Sequence, residues 1–109
     1  MSWTLKFLPE AQKDLQNLAD NQRLLVAKAL KKVSINPVSI YEGGYGKPLG
    51  NRSGTDLLGF YKIKLRGAGF HIVYKLIKTK TSMLVVVIGA RADDEVCETA
   101  EKRSQKHDL

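Results

Sequence analysis

The middle of this 109-residue chain is rich in basic side chains and contains no carboxylate. No Asp or Glu occurs between Asp56 and Asp93, whereas this segment holds seven lysines and arginines and one of the two histidines. They are Lys62, Lys64, Arg66, His71, Lys75, Lys78, Lys80 and Arg91. Cations gathered in this way repel one another unless an anion lies between them, and a phosphodiester meets that requirement. The segment therefore predicts a phosphate-binding site, and nucleic acid is the ligand it favours.

Strand alternation sorts these residues onto one surface. In Phe60–Arg66, Lys62 and Lys64 alternate with apolar neighbours, and in Phe70–Ile77 His71 occupies the polar positions together with Lys75. A meander would place the two polar sets side by side on the solvent side of one sheet. Arg91 leaves the end of the following strand. One face is thus predicted to gather Lys62, Lys64, Arg66, His71 and Arg91.

This set has the parts needed to cleave RNA through its own 2′-hydroxyl. The reaction requires a base for the hydroxyl, cations for the pentacovalent phosphorane, and an acid for the departing 5′-oxygen. Arginine and lysine supply the cations directly, and a lysine crowded by other cations can serve as the base. Histidine can act as acid or base near neutral pH. The residues leave the base and acid unassigned among Lys62, Lys64 and His71.

The elements that position this set read as a single α+β domain spanning residues 1–109, in the order β-α-α-β-β-β-α. Alternation at Trp3, Leu5 and Phe7 predicts a first strand, and residues 10–35 read as a helical hairpin. A glycine-rich loop covers residues 37–59, with a short strand near Lys47–Leu49. Three further strands precede a helix over residues 93–105. The prediction is an N-terminal helical hairpin packed on a mainly antiparallel four-stranded sheet, followed by a C-terminal helix.

Composition narrows the function classes further. The formal net charge of +7 favours a polyanionic or acidic partner. The single cysteine, Cys97, excludes an internal disulfide, and two scattered histidines give no metal-ligand spacing, so neither cofactor nor metal is expected. The N-terminus does not read as a signal peptide, and the longest apolar run, Met83–Ala90, is too short to span a bilayer. A cytoplasmic protein is predicted. His107 falls in a tail expected to fray, and no role is predicted for it.

The element order and two segments resemble one known group. The segments LGFYKIKLRGAGFHIVYKL and VVVIGARADDEVCETAEKR are similar to RelE-type toxins of bacterial type II toxin–antitoxin systems, within the RelE/ParE superfamily. The resemblance covers nearly the whole chain and is weakest in residues 41–56. It implies a metal-independent endoribonuclease that enters the ribosome, cuts messenger RNA in the decoding site, and leaves a cyclic phosphate. It also implies an acidic antitoxin as partner, which the positive charge suits.

The resemblance also implies roles for individual residues. Lys62 and Lys64 match the family's strand lysines, Arg66 matches an arginine that could hold backbone phosphate, and Arg91 matches the arginine that stabilises the transition state. Two positions depart from the pattern: His71 stands where the best-known members have arginine, and Cys97 stands where they have a base-stacking tyrosine. Two explanations for Cys97 stay open. Either it is native and His71 shares the acid–base work, or the chain is an attenuated variant.

Two other functions fit parts of the sequence. The same fold occurs in ParE-like inhibitors of DNA gyrase, which act by protein–protein contact and generally lack the cationic cluster. A non-catalytic RNA-binding module with a basic face would bind RNA by shape, with steep salt dependence and no cleavage.

Overall fold

The computed structural model describes residues 3–50, 57–65, 69–89 and 93–109 and confirms the α+β class. Its strands are β1 (Thr4–Phe7), β2 (Lys47–Gly50), β3 (Leu57–Leu65), β4 (Phe70–Ile77) and β5 (Ser82–Gly89). Its helices are α1 (Pro9–Gln16), α2 (Asp20–Val33) and α3 (Asp93–Lys106), with short 3₁₀ turns at Ile40–Glu42 and Lys78–Lys80. In the described ranges no helix is both long and apolar enough to cross a membrane.

Within the described residues the sheet contains five strands, one more than predicted, in the order β1-β5-β4-β3-β2. The extra strand is β2, which lies within the segment read as a long loop and pairs antiparallel with β3. A four-residue strand interrupted by Pro48 carries too little alternation to count as a sheet member from sequence alone. β3, β4 and β5 form the predicted antiparallel meander. β1 lies at the opposite edge of the sheet from β2 and runs parallel to β5.

Both faces of the central strand β4 are covered. Residues 70–74 are all buried although their side chains alternate between the two faces. On one face the Tyr74 hydroxyl donates to the Pro37 carbonyl at 2.6 Å, just beyond the end of α2, and α1 packs along β5. The helix α3 also contacts β5, β4 and β3. Burial of the Tyr74 side chain raises the pKa of its phenol, which stays a neutral donor.

Side chains occupy the outer edge of β5 where β1 no longer pairs with it. The β1–β5 register ends at Phe7 and Val85. Beyond that point Asp14 of α1 accepts from the Ile88 amide at 3.2 Å, and Arg103 of α3 donates to the Val86 carbonyl at 2.8 Å. Arg103 also pairs with the Asp14 carboxylate at 2.7 Å. One ion pair therefore satisfies backbone groups of the sheet edge and ties both helices to it.

The C-terminus is anchored, and the prediction that His107 lies in a frayed tail is wrong. The His107 Nε2 atom lies 2.9 Å from a carboxylate oxygen of Glu10 at the start of α1, and the Lys106 ammonium lies 3.0 Å from the other oxygen. The Leu109 amide donates to the Ser104 carbonyl at 2.8 Å. Only the folded chain brings residues 10 and 107 together, so local sequence gave no sign of the contact.

Glu10 should make stability dependent on acid pH. Hydrogen bonds from His107 and Lys106 lower the pKa of Glu10 from 4.5 to about 2. Because the folded-state pKa lies below the unfolded value, the contribution is complete above pH 4.5 and is lost as the pH falls towards 2. We expect Glu10→Gln to reduce the drop in melting temperature between pH 6 and pH 3. Melting curves of Glu98→Gln, which removes an exposed carboxylate from α3, provide the control. Equal drops in melting temperature for the original protein, Glu10→Gln and Glu98→Gln would contradict the role of Glu10.

Candidate nucleic-acid interface

The strand register brings three of the predicted site residues together. Lys64 of β3 lies directly opposite His71 of β4, and Lys62 lies opposite Val73, so Lys62, Lys64 and His71 share one face. Directly opposed residues in antiparallel strands have Cβ atoms about 5 Å apart, and diagonal neighbours about 7 Å. The two lysines and the histidine therefore lie within reach of one phosphodiester group. Strand alternation and a meander were sufficient to predict this grouping.

A further lysine on this face was missed by the sequence analysis. Lys47 of β2 is the register partner of Lys62, so it extends the basic face towards the edge of the sheet. Its side chain is exposed. The sequence did indicate a short strand near Lys47–Leu49, but it did not show which strand pairs with it. Because this strand pairs with β3, Lys47 joins Lys62, Lys64 and His71 on the basic face.

The prediction that this face is the solvent side of the sheet is wrong for two of its members. Lys62 is only 5% exposed and His71 only 8% exposed, whereas Lys64 is exposed. The cause is the coverage of both sheet faces, which places the inner part of the cationic set beneath other elements. Solvent exposure therefore differs across the site: Lys64 and Lys47 lie at the surface, whereas Lys62 and His71 are recessed.

The remaining predicted site residues occupy different positions. Arg66 and Arg91 lie outside the described residues, two residues beyond Lys64 and Gly89 respectively in sequence. Gly89 is the register partner of His71, so the described end of β5 lies beside the site. Cys97 lies in α3 and is fully buried, next to buried Val96. The part played by Arg66, Arg91 and Cys97 in chemistry stays a prediction.

Acidic and metal-ligating side chains do not cluster in the part of the chain that the structure describes. No group of three or more His, Cys, Asp or Glu residues there could hold a metal ion. Nearest in strand register to His71 are Lys64 and Gly89, neither of which is a usual metal ligand. The side chains around His71 are thus those of an anion-binding site that includes an imidazole.

No family model matches the chain, but known proteins are similar to it in sequence and in fold. A RelE-like toxin protein of Escherichia coli is 33% identical over 103 residues, which cover 94% of this chain and 98% of that protein. The chain belongs to the RelE toxin family. The mRNA interferase toxin RelE of E. coli strain K12 is 31% identical over the same proportions.

Solved RelE structures extend the match to three dimensions. A double arginine-to-alanine mutant of E. coli toxin RelE in the free state superposes with a TM-score of 0.74 at 30% identity, covering 94% of this chain and 98% of that one. The toxin in the intact E. coli RelBE toxin–antitoxin complex matches with a TM-score of 0.63 at 27% identity, covering 84% and 99%. The RelE fold and the cationic sheet face therefore occur together in this chain.

Proposed function

We propose that this chain is the toxin of a type II toxin–antitoxin system and that it cleaves messenger RNA on the ribosome. The observation that carries the proposal is the grouping of Lys62, Lys64 and His71 on one face of a RelE fold. The relative named an mRNA interferase supports the substrate class. A small basic protein acting on translating ribosomes would work in the bacterial cytoplasm, and no metal takes part in the proposed chemistry.

The proposed reaction is a transesterification within the RNA. A base removes the proton from the 2′-hydroxyl, the 2′-oxygen attacks phosphorus, and the bond to the 5′-oxygen breaks as an acid protonates it. The products are a 2′,3′-cyclic phosphate and a free 5′-hydroxyl. Cations around the phosphorane stabilise its added negative charge, and this effect is commonly the largest contribution to such a reaction.

Burial suggests how the two strand lysines divide the work. Lys62 is recessed and held among neighbouring elements, whereas Lys64 is exposed. Proton transfer demands a fixed geometry within hydrogen-bond reach, so the recessed amine suits the base. An exposed ammonium suits contact with a backbone phosphate. His71, opposite Lys64, then contacts the same phosphate or protonates the 5′-oxygen, while Arg66 and Arg91 complete the cationic surroundings.

An acidic antitoxin is the proposed protein partner. The RelBE complex shows that a toxin of this fold assembles with an antitoxin. The net charge of +7 on this chain favours a partner of opposite sign and speeds their encounter.

The direct test is primer extension on a defined messenger RNA in a purified translation system, with and without ribosomes. We expect cuts within decoding-site codons only when ribosomes are present, and no change when a chelator removes free Zn²⁺. Salt-sensitive RNA binding without cuts would instead assign a binding module. Absence of both, together with inhibition of DNA gyrase, would assign a ParE-like function.

Cys97→Tyr is expected to raise the cleavage rate about tenfold, since one base–aromatic stack contributes about 1–3 kcal/mol. Cys97 is fully buried, so the larger ring must turn outwards, and its insertion should cost about 1–3 kcal/mol of stability. Single-turnover cleavage on programmed ribosomes measures the gain. Cys97→Phe is the matched control, because it supplies the ring without the hydroxyl. An unchanged rate in a folded Cys97→Tyr protein would make Cys97 a native feature and leave the acid–base work to His71.

A further inference from the structure

Strand β5 contains one residue more than the stretch of β4 with which it pairs. Tyr74 of β4 is the register partner of Val85. The preceding residue of β4, Val73, is the partner of Val87. Val86 is therefore an extra residue in β5, and the pairing of the two strands shifts by one residue at this point.

Hydrogen bonds at the outer edge of β5 confirm a β-bulge at Val86. The Val85 carbonyl accepts from the Leu8 amide at 3.0 Å, and the Val86 carbonyl accepts from the Arg103 guanidinium at 2.8 Å. In a regular strand the carbonyls of successive residues point to opposite edges, whereas these two point to the same edge.

The apolar side chains of β5 do not select the bulged register. Val85, Val86, Val87 and Ile88 are all buried. A slip of one residue moves each side chain to the other face of the sheet. Here it would exchange one buried β-branched side chain for another, because the run is apolar throughout. The hydrophobic effect is non-directional, so it favours the two registers about equally.

The Asp14–Arg103 pair, by contrast, fits only the bulged register. Arg103 donates to the Val86 carbonyl, and Asp14 accepts from the Ile88 amide at 3.2 Å. Because the Val85 carbonyl points to the outer edge, the polar groups of Val86 and Ile88 in a regular strand would point inwards, towards β4. Both bonds would then be lost, and the two charged side chains, only 18% and 21% exposed, would lose partners that solvent replaces poorly.

The register of β5 decides which residue lies beside His71 in the proposed cleavage site. In the bulged strand it is Gly89, so that Lys64, His71 and Gly89 form a row across β3, β4 and β5. In a regular strand the same count places Ile88 there. Its side chain would lie about 5 Å from that of His71 on the cationic face, in the space that a phosphate needs next to the imidazole.

We propose that Asp14 and Arg103 are positioning residues for RNA cleavage, because they hold the bulge that keeps glycine, and not isoleucine, beside His71. The opening left by Gly89 admits the phosphate that is cleaved. The inference rests on the proposed function and deepens it. Both residues act at the outer edge of β5, with that strand between them and β4, so they act through the backbone and do not touch the RNA.

Nuclear Overhauser contacts between β4 and β5 report the register independently of cleavage. The Ile88 amide points outwards, so Ile72 and Ile88 form a non-hydrogen-bonded pair, in which the Cα atoms approach to about 4.5 Å. We expect a strong Hα–Hα contact between Ile72 and Ile88 in the original protein. In Arg103→Met we expect this contact of Ile72 to pass to Val87.

Lys106→Met is the matched control for the register. The Lys106 ammonium pairs with Glu10 at 3.0 Å, so this ion pair also joins α3 to α1, but it does so at the start of α1 and not at the edge of β5. The control should keep the original register and the original cleavage rate.

Single-turnover cleavage on programmed ribosomes measures the consequence for the reaction. We expect Arg103→Met to lower the cleavage rate about 10²-fold, as a misplaced site does, and to change affinity for ribosomes carrying a 2′-O-methyl codon by less than about threefold. Arg103→Lys retains a donor for the Val86 carbonyl, so it should recover part of the lost rate.

Gly89→Ile tests the opening beside His71 directly. It brings the isoleucine side chain to that position while the Asp14–Arg103 pair stays intact. We expect a loss of cleavage similar to that of Arg103→Met, with the contact between Ile72 and Ile88 unchanged.

The outcomes separate this inference from the proposed function. Persistence of the original register in a folded Arg103→Met protein would overturn the inference, as would cleavage at the original rate by Gly89→Ile, which answers the question even if Arg103→Met does not fold. A changed register in Arg103→Met, together with no cleavage by the original protein, would keep the register assignment and reject the ribonuclease.

Discussion

Replacement of Lys62 by methionine is expected to lower the single-turnover rate of RNA cleavage by about 10²–10⁴-fold, the range that a positioned general base contributes. Lys62 is the recessed lysine of the site, and methionine keeps most of its length and apolar volume. The folded structure should therefore persist while the proton acceptor is lost. Rates at saturating protein on ribosomes carrying a defined codon measure the effect.

Two further variants separate proton transfer from charge at Lys62. Lys62→Arg keeps the cation but is not a practical base, so it should lose nearly as much rate as methionine. Lys80→Met is the matched control, because Lys80 is an exposed lysine in the 3₁₀ turn Lys78–Lys80, which follows the end of β4 that lies away from His71. Full activity of Lys62→Arg would mean that Lys62 acts only through its charge.

Arg91→Ala is expected to reduce cleavage by about 10²–10³-fold while ribosome binding falls far less. The reason is that a cation aimed at the phosphorane interacts more strongly with the transition state than with the bound substrate. The cleavage rate is measured on ribosomes carrying an ordinary codon, and binding affinity on ribosomes carrying a 2′-O-methyl codon. The methyl group blocks the attacking 2′-oxygen, so the second measurement reports binding alone.

The control for Arg91 is Arg23→Ala. It removes one arginine from α2, where the guanidinium pairs with Asp20, and it leaves the cationic face intact. Arg91→Lys retains the positive charge without the planar guanidinium, so its cleavage rate should lie between those of the original protein and Arg91→Ala. An equal loss of cleavage and of ribosome binding in Arg91→Ala would make Arg91 a docking residue.

The sequence predicted those parts of the fold that local pattern determines. Alternation located β4 at its observed bounds, and a meander was enough to place Lys64 beside His71. The helix beginning at Asp93 was located from its acidic first turn, a position that the helix dipole favours for acids. Each of these features is encoded within a few neighbouring residues.

Features that depend on distant residues were missed. Burial of Lys62 and His71 depends on the layers packed over the sheet, which no strand pattern contains. The pairing of Lys47 with Lys62 joins segments separated by glycine-rich sequence, and the contact of His107 with Glu10 joins the two ends of the chain. Departures of this kind are expected where tertiary packing overrides local preference.

The Asp14–Arg103 pair at β5 also bears on how the protein behaves when it is alone. An open strand edge is a template on which a second molecule can add its own strand, the usual start of aggregation. Here the amide of Ile88 and the carbonyl of Val86 already hold side-chain partners. At the far side of the sheet Pro48 offers no amide proton to a newcomer. The stretch of β5 beyond β1 therefore leaves neither the Val86 carbonyl nor the Ile88 amide open to a strand from a second copy of the chain.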